Sequence, residues 1–202
     1  GVPDTTNTNL YWYPAQNINF ELYAKDEVSG LSNVTYEVDG DGNKAGMTQG
    51  AVQAAGQPYE GFNKYTATAV TDGNDSVAHT IKVIATDKAT NATADASAPV
   101  ITFRVDTVKP VFSNFRYPTT PVPNSDNVSI TGELTENNLA SFEVITKRNG
   151  EDTPFEGTPN FIQPSNTASS TAAQRQFSYT VTAANNDGEW TVTFKATDKA
   201  GN

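Results

Sequence analysis

The feature that most constrains this chain is an internal repeat of about one domain's length. Residues 79–91 (HTIKVIATDKATN) match residues 190–202 (WTVTFKATDKAGN) at 7 of 13 positions, with an offset of 111 residues. Upstream, residues 65–69 (YTATA) match residues 179–183 (YTVTA) at a similar offset of 114. A period of this length is a whole domain, because solenoid units are much shorter. We therefore predict two homologous domains in tandem, residues 1–106 and 107–202.

Both repeats contain short alternating runs of apolar and polar residues that are separated by turn residues, a pattern typical of half-buried strands. The 28 Thr, 12 Ser and 20 Asn among 202 residues also favour strands and turns. No segment keeps a helical period over three turns, so the sequence predicts an all-β protein. The expected strands cover residues 18–25, 31–38, 65–70, 80–86 and 100–105 in the first domain, and 111–117, 128–134, 140–146, 176–182 and 190–197 in the second. Residues 39–43 (DGDGN) are expected to form a hairpin turn, and residues 160–174 a mobile surface loop.

Charge and composition exclude several classes of function. The net charge is −10 and no cluster of Lys or Arg offsets it, which argues against nucleic-acid binding. No apolar run is long enough to insert into a membrane. With one His and no Cys, most zinc, thiol and haem chemistry is excluded. His79 has no Ser-Asp signature near it and is expected at the surface or at a strand end, so we expect no enzymatic activity.

A series of short motifs identifies a resemblance. In the first repeat these are AxD at 24–26, SGL at 29–31, VxY at 34–36, VDG at 38–40, ATDKAxN at 85–91 and FxVDTxxP at 103–110. The second repeat shares ATDKAGN at 196–202 but has Thr135-Glu136-Asn137 where the first has Asp26-Glu27-Val28. In this order the motifs resemble the bacterial immunoglobulin-like domains that occur in series in large cell-surface proteins, adhesins and surface-layer proteins. The resemblance implies two tandem immunoglobulin-like β-sandwiches at the extracellular cell surface. Their partners would be neighbouring repeats of the same protein, and the module would also be suited to homotypic assembly.

Acidic and amide side chains fall in loops that an immunoglobulin-like sandwich brings to one end. In the second domain these are Glu136, Asp198 and Asn202, and Asp106 of the linker must pass above them. Calcium takes about six to eight oxygen ligands, so three or four such side chains from two domains are suited to an ion that fixes the angle between them. The resemblance also implies calcium near such positions. The alternative is that these residues cap turns by accepting backbone amides. The first domain offers a second set: Asp4, Asp26, Asp87 and Asn91.

Two further motifs have both a purely structural and a functional interpretation. Residues 39–43 resemble the opening of an EF-hand loop, but the twelfth position is Gly50 and not the bidentate Glu, which favours a simple turn. Tyr11, Trp12 and Tyr13 either cover an edge of the core or form a platform on which sugars stack. Such a platform has to be exposed and coplanar. It would make the chain a carbohydrate-binding module. A separate alternative is an accessory region of a secreted glycan-active enzyme, whose catalytic domain would have to appear in the adjoining gene sequence.

The second repeat ends before the position of the first repeat's last strand. After Asn91 the first domain continues into residues 100–105, where Ile101, Phe103 and Val105 alternate with the other side chains. Asn202 is the counterpart of Asn91, so the second domain is expected to lack that strand and to expose a groove at Val192 or Thr193 and Phe194. We expect the natural chain to continue past Asn202 and complete the fold, in preference to a neighbouring subunit that donates the strand.

The sequence as a whole predicts a non-catalytic extracellular spacer or lattice element of a multidomain cell-surface protein.

Overall fold

The computed structural model describes residues 2–3, 10–73, 75–123, 126–149, 155–157, 160–163, 174–181 and 187–202. In these residues the regular structure consists of β-strands and one 3-10 turn at Asp95–Ser97. The prediction of an all-β protein is therefore confirmed. No helix in the described part of the chain is long and apolar enough to cross a membrane. The chain divides into two compact units, Gly1–Thr107 and Val108–Asn202.

The first unit is built from two sheets. One has the strand order β1-β2-β9-β8-β4-β5, in which β2 and β9 are parallel, and the other has the order β3-β7-β6. The strands are β1 Val2–Pro3, β2 Tyr11–Tyr13, β3 Asn17–Ala24, β4 Leu31–Val38, β5 Ala45–Gly46, β6 Thr48–Val52, β7 Asn63–Val70, β8 His79–Asp87 and β9 Val100–Val105.

Both sheets of the first unit contribute to one core. Ile18 and Tyr65 come from the β3-β7-β6 sheet, whereas Val34, Ile81 and Phe103 come from the other sheet. These side chains are almost fully buried, and each stabilises the fold by about 1.5–3 kcal/mol relative to an exposed position. The first unit is thus a two-layer β-sandwich.

The second unit is also built from two sheets, with the strand orders β10-β11-β15-β14 and β13-β12-β16. Phenylalanines from both sheets form its core, and the rings of Phe142 and Phe177 meet edge to face with centroids 4.9 Å apart. Gly132 pairs with Phe177 on the neighbouring strand of the same sheet. A Cβ at Gly132 would lie 2.6 Å from the Phe177 ring, so glycine is required there. The strands are β10 Val111–Arg116, β11 Val128–Thr135, β12 Leu139–Arg148, β13 Phe155–Gly157, β14 Asn160–Gln163, β15 Gln174–Val181 and β16 Trp190–Asp198.

The repeat in the sequence is matched by a repeat in strand pairing. Leu31 pairs with Asp87 at one end of the β4–β8 ladder, and the next pair is reached through a bulge. Leu139 pairs with Asp198 at the same end of the β12–β16 ladder, again followed by a bulge. Strands β4, β8, β12 and β16 therefore hold corresponding places in the two units.

One expectation about local structure is wrong. Residues 160–163 are the strand β14, paired with β15, and are not part of a loop; residues 164–173 lie outside the described residues. Of the two positions expected for His79, the structure shows the strand end, since His79 begins β8, and its side chain is buried.

Candidate metal centre

Strand register brings Glu136 and Asp198 to one end of the second unit. Glu136 directly follows β11, and β12 begins three residues later at Leu139. Because Leu139 pairs with Asp198, the last residue of β16, the β11–β12 turn lies beside the end of β16. Two loops that are far apart in the sequence therefore present a carboxylate each at the same place.

Asp106 reaches the same place through the chain that connects β9 to β10. It is the first residue after β9, and β10 begins only five residues later at Val111. Val111 pairs with Thr135, the neighbour of Glu136. Five residues span at most about 17 Å, so this register keeps Asp106 close to Glu136.

The three carboxylates form a buried group. Asp106, Glu136 and Asp198 are 1%, 4% and 1% exposed. One carboxylate oxygen of each residue lies within 4.8 Å of the corresponding oxygen of the other two. This is the only group of three or more acidic, His or Cys side chains at such a spacing within the described ranges. The structure thus brings together three of the four side chains predicted for this site.

The fourth predicted residue, Asn202, holds Asp198 in place. Its backbone N–H donates to Asp198 Oδ1 and its side-chain Nδ2 donates to Oδ2, both at 2.9 Å. A carboxylate accepts about four hydrogen bonds or ligand contacts. The two hydrogen bonds from Asn202 therefore orient Asp198 and leave it able to accept further contacts. Glu136 is held in a similar way, since its Oε1 accepts the backbone N–H of Asn138 at 2.7 Å.

Arg175 places a positive charge beside this group. It is fully buried on β15, and its Nη1 donates to the backbone carbonyl of Glu136. Burial lowers the pKa of Arg175, and the negative charge of Glu136 opposes that shift. Sequence reasoning missed this residue, although the alternation of β15 contains the signal. Arg175 is in phase with Phe177 and Val181, which both point into the core.

The acidic residues predicted in the first unit are engaged in capping turns. Asp26 Oδ1 accepts the backbone N–H groups of Val28, Ser29 and Gly30 at 3.1, 2.7 and 2.8 Å. These bonds, chiefly that from Gly30, lower the pKa of Asp26. Leu31 of the first unit corresponds to Leu139 of the second. Glu136 lies three residues before Leu139, and the residue three before Leu31 is the exposed Val28. Asp26 is therefore not the counterpart of Glu136.

Asp87 and Asn91 form the same pair of hydrogen bonds as Asp198 and Asn202. The backbone N–H of Asn91 donates to Asp87 Oδ1 at 2.8 Å, and Asn91 Nδ2 donates to Oδ2 at 2.9 Å. The side-chain bond from Asn91 is the main cause of the lowered pKa of Asp87. Asp4, the remaining predicted ligand, lies outside the described residues.

A buried histidine lies between two carboxylates in the first unit. His79 Nδ1 is 2.8 Å from Asp39 Oδ2, and its Nε2 is 3.6 Å from Asp72 Oδ1. Asp39 Oδ1 also accepts the backbone N–H of Thr80 at 2.7 Å. These contacts join the turn after β4 to the start of β8. Because β4 pairs antiparallel with β5, the DGDGN motif between them serves as a hairpin turn. The pairing of Val38 with Ile81 is what places Asp39 there, and the sequence alone does not show it.

Tyr11, Trp12 and Tyr13 do not form an exposed aromatic platform. They form β2, and Trp12 is buried, with the Arg104 guanidinium carbon 5.5 Å from its ring centre. Tyr13 instead packs edge to face on Phe103. The feature that favoured sugar stacking is therefore absent, and these residues cover an edge of the core.

In comparisons with known proteins, no protein-family model matches the chain, and no curated protein matches it significantly.

Proposed function

We propose that the chain is a non-catalytic structural module of an extracellular, multidomain cell-surface protein, built from immunoglobulin-like repeats. We further propose that Asp106, Glu136 and Asp198 bind calcium. The observation that carries this proposal is the burial of these three carboxylates within 4.8 Å of one another. In this role the ion cross-links the loops that follow β11 and β16 within the second unit.

The charges of the group favour a divalent cation. Ionised carboxylates are costly to bury unless an opposite charge compensates them. Arg175 offsets one of the three negative charges of Asp106, Glu136 and Asp198, and a divalent cation would offset the other two.

The spacing of the oxygens also suits calcium. Calcium binds oxygen at about 2.3–2.6 Å, so two oxygens on opposite sides of one ion are separated by up to about 5 Å. The separations in this group, all within 4.8 Å, allow the three carboxylates to share one ion. Backbone carbonyls and water complete the coordination sphere of such sites.

The module's position on a cell surface rests on the motif resemblance, whereas its construction from serial repeats is supported by the repeated strand pairing. The ladders of β4 with β8 and of β12 with β16 share the same end pair and the same bulge, as expected of serial repeats of one domain type. A protein built from such repeats acts mechanically, as a spacer or as a lattice element.

Calorimetric titration of the full chain with calcium, and thermal melts in calcium and in chelator, test the metal site. We expect one site, and at about a hundredfold excess over its dissociation constant calcium stabilises the fold by about 2.7 kcal/mol. For a domain of this size that raises the melting temperature by about 10–20 °C.

Variants locate the site. Glu136→Gln and Asp106→Asn each remove a charged ligand with little change in volume, and we expect calcium affinity to fall at least about tenfold. Glu27→Gln removes the same charge from an exposed pair with Lys25 and is the matched control. A chain that binds no calcium and melts identically in calcium and in chelator would contradict the site. So would equal losses in Glu27→Gln and Glu136→Gln.

A further inference from the structure

Two tyrosine rings of the first unit, Tyr23 and Tyr59, form a tyrosine stack at its surface. Tyr23 lies on β3, and Tyr59 lies in the loop that joins β6 to β7. Their ring centroids are 4.6 Å apart, and the angle between the ring planes is 16°. Phe62 meets the Tyr59 ring edge to face, with the centroids 6.2 Å apart. Tyr59 is still 59% exposed, so the face of its ring opposite Tyr23 is open to solvent.

Hydrogen bonds fix the loop that carries Tyr59. The backbone N–H of Gln53 donates to the carbonyl of Phe62 at 2.8 Å, and the N–H of Gly61 donates to the carbonyl of Gln53 at 3.1 Å. The N–H of Phe62 donates to the carbonyl of Tyr59 at 3.0 Å. These bonds tie the two ends of the loop together, so the Tyr59 ring has a defined position.

Tyr59 adopts a backbone conformation that is unfavourable for a bulky residue. Its φ is 59°, in the left-handed region that glycine and asparagine tolerate best. Strained conformations of this kind cluster at ligand-binding sites, where the surrounding structure enforces them. Because Asn or Gly would form this turn more easily, the turn itself does not explain why an exposed tyrosine stands here.

Charged groups lie beside the tyrosine stack. The Tyr23 hydroxyl donates to Glu21 Oε1 at 3.1 Å, and Lys64 Nζ donates to Glu21 Oε2 at 2.5 Å. Lys25 Nζ lies 4.8 Å from the centre of the Phe62 ring. A carboxylate accepts hydrogen bonds and an ammonium group donates them. The surface therefore combines an open aromatic face with the donor and acceptor groups that sugar hydroxyls require.

We infer that the tyrosine stack binds a neutral saccharide, with one pyranose ring resting on the open face of Tyr59. Axial C–H groups make one face of such a sugar ring apolar, and this face matches the aromatic ring. The hydroxyl groups at the rim of the sugar reach Glu21 and Lys64, which set its orientation. This surface is separate from residues 11–13, which cover an edge of the core. The inference does not depend on the metal site, and it adds a binding activity to the proposed structural role.

The charges of the surface favour a neutral sugar over an anionic one. Lys64 is paired with Glu21 and Lys25 is paired with Glu27, so a carboxylate already balances each ammonium group. The whole chain has a net charge of −10 and repels anions.

The size of the surface favours a sugar over a protein partner. A stable protein interface buries about 800 Å² on each partner, and charged residues are depleted at its centre. Here a single open ring is bordered by charged pairs, which suits a ligand of about one or two sugar rings.

Nuclear magnetic resonance of the full chain with cellotetraose and with lactose tests the inference. Both probes are neutral and offer a pyranose ring with an apolar C–H face. We expect weak, saturable binding that shifts the backbone amides of residues 54–62. We also expect upfield shifts of the sugar's ring C–H protons, because these protons lie over an aromatic ring. Tetragalacturonate, which has the length of cellotetraose but is anionic, should bind at least about tenfold more weakly.

Variants locate the sugar on Tyr59. Tyr59→Asn suits the left-handed backbone but removes the ring, and we expect sugar affinity to fall at least about tenfold. Tyr59→Phe keeps the ring, and we expect affinity within about twofold of the parent chain. Tyr117→Asn is the matched control, since Tyr117 of the second unit is equally exposed, at 60%, and we expect unchanged binding. Circular dichroism of the three variants establishes that they fold.

Four results would overturn the inference. One is that neither neutral sugar shifts the amides of residues 54–62 at about 10 mM. Another is that Tyr59→Asn binds the sugars as tightly as the parent chain does. The third is equal binding of tetragalacturonate and cellotetraose. The fourth is a shift of the same amides with protein concentration in the chain alone, which would assign the tyrosine stack to a contact between copies.

Discussion

Replacing Arg175 with Met tests how the buried charges of the second unit are balanced. Arg175 is fully buried, and its guanidinium donates a hydrogen bond to the backbone carbonyl of Glu136. Its positive charge also interacts with the negative charge of the Glu136 carboxylate. Met retains much of the side-chain volume but leaves the buried carboxylates without this cation. Removing one partner of such a buried set costs about 3–5 kcal/mol.

The effect is large enough to measure in a chelating buffer, where metal binding does not contribute. A loss of about 3 kcal/mol lowers the melting temperature of a domain of this size by about 12 °C or more. In urea it lowers the unfolding midpoint of the second unit by about 1–3 M.

A second substitution separates lost charge balance from lost packing. Glu136→Gln removes a negative charge that Arg175 compensates, so the double variant Arg175→Met with Glu136→Gln should be more stable than the sum of the two single losses predicts. For groups in direct contact we expect this coupling to reach about 0.5–3 kcal/mol. Strictly additive losses, or an Arg175→Met variant as stable as the parent chain, would refute the charge-balance reasoning. That result would also remove the electrostatic argument for a divalent cation.

Two further predictions concern stability. Gly132→Ala places a Cβ 2.6 Å from the ring of Phe177, so we expect the free energy of unfolding in urea to fall by about 1–3 kcal/mol. The control Gly46→Ala adds a Cβ with no atom within 4 Å and should change the free energy of unfolding by less than about 0.5 kcal/mol. Equal effects of the two variants would contradict the packing argument. Folding lowers the pKa values of Asp26 and Asp87 from 3.8, so the stability they contribute is complete above that value and is lost as the pH falls through their lower folded pKa values. The difference in melting temperature between the parent chain and Asp26→Asn should therefore shrink between about pH 7 and about pH 2, and a constant difference would show that Asp26 does not act through its charge.

The site was only partly predictable from the sequence. The repeat identifies Asp198 and Asn202 through their counterparts Asp87 and Asn91, because the same hydrogen bond from Asn to Asp occurs in both units. Glu136 is predictable only with an assumed topology, since no local pattern places the turn after β11 beside the end of β16. The motif alignment sets Glu27 against Glu136, whereas the strand register shows that Val28 holds that position.

The sequence by itself determined the long strands. Alternation with a period of two is a local property, so β4 and β9 were predicted with their observed bounds, residues 31–38 and 100–105. It did not reveal β5 or β6. Residues 45–46 (AG) have little strand preference, and the side chains of Thr48–Val52 are all exposed, so only the pairing of these strands with β4 and β7 makes them strands.

The tertiary structure alone decided which polar side chains are buried and what they contact. The alternation of β15 indicates only that Arg175 points inward, and it is packing between elements distant in the sequence that encloses His79, Arg175 and Glu136. The physical reason is that alternation belongs to a single strand, whereas burial and charge compensation depend on residues that are distant in the sequence.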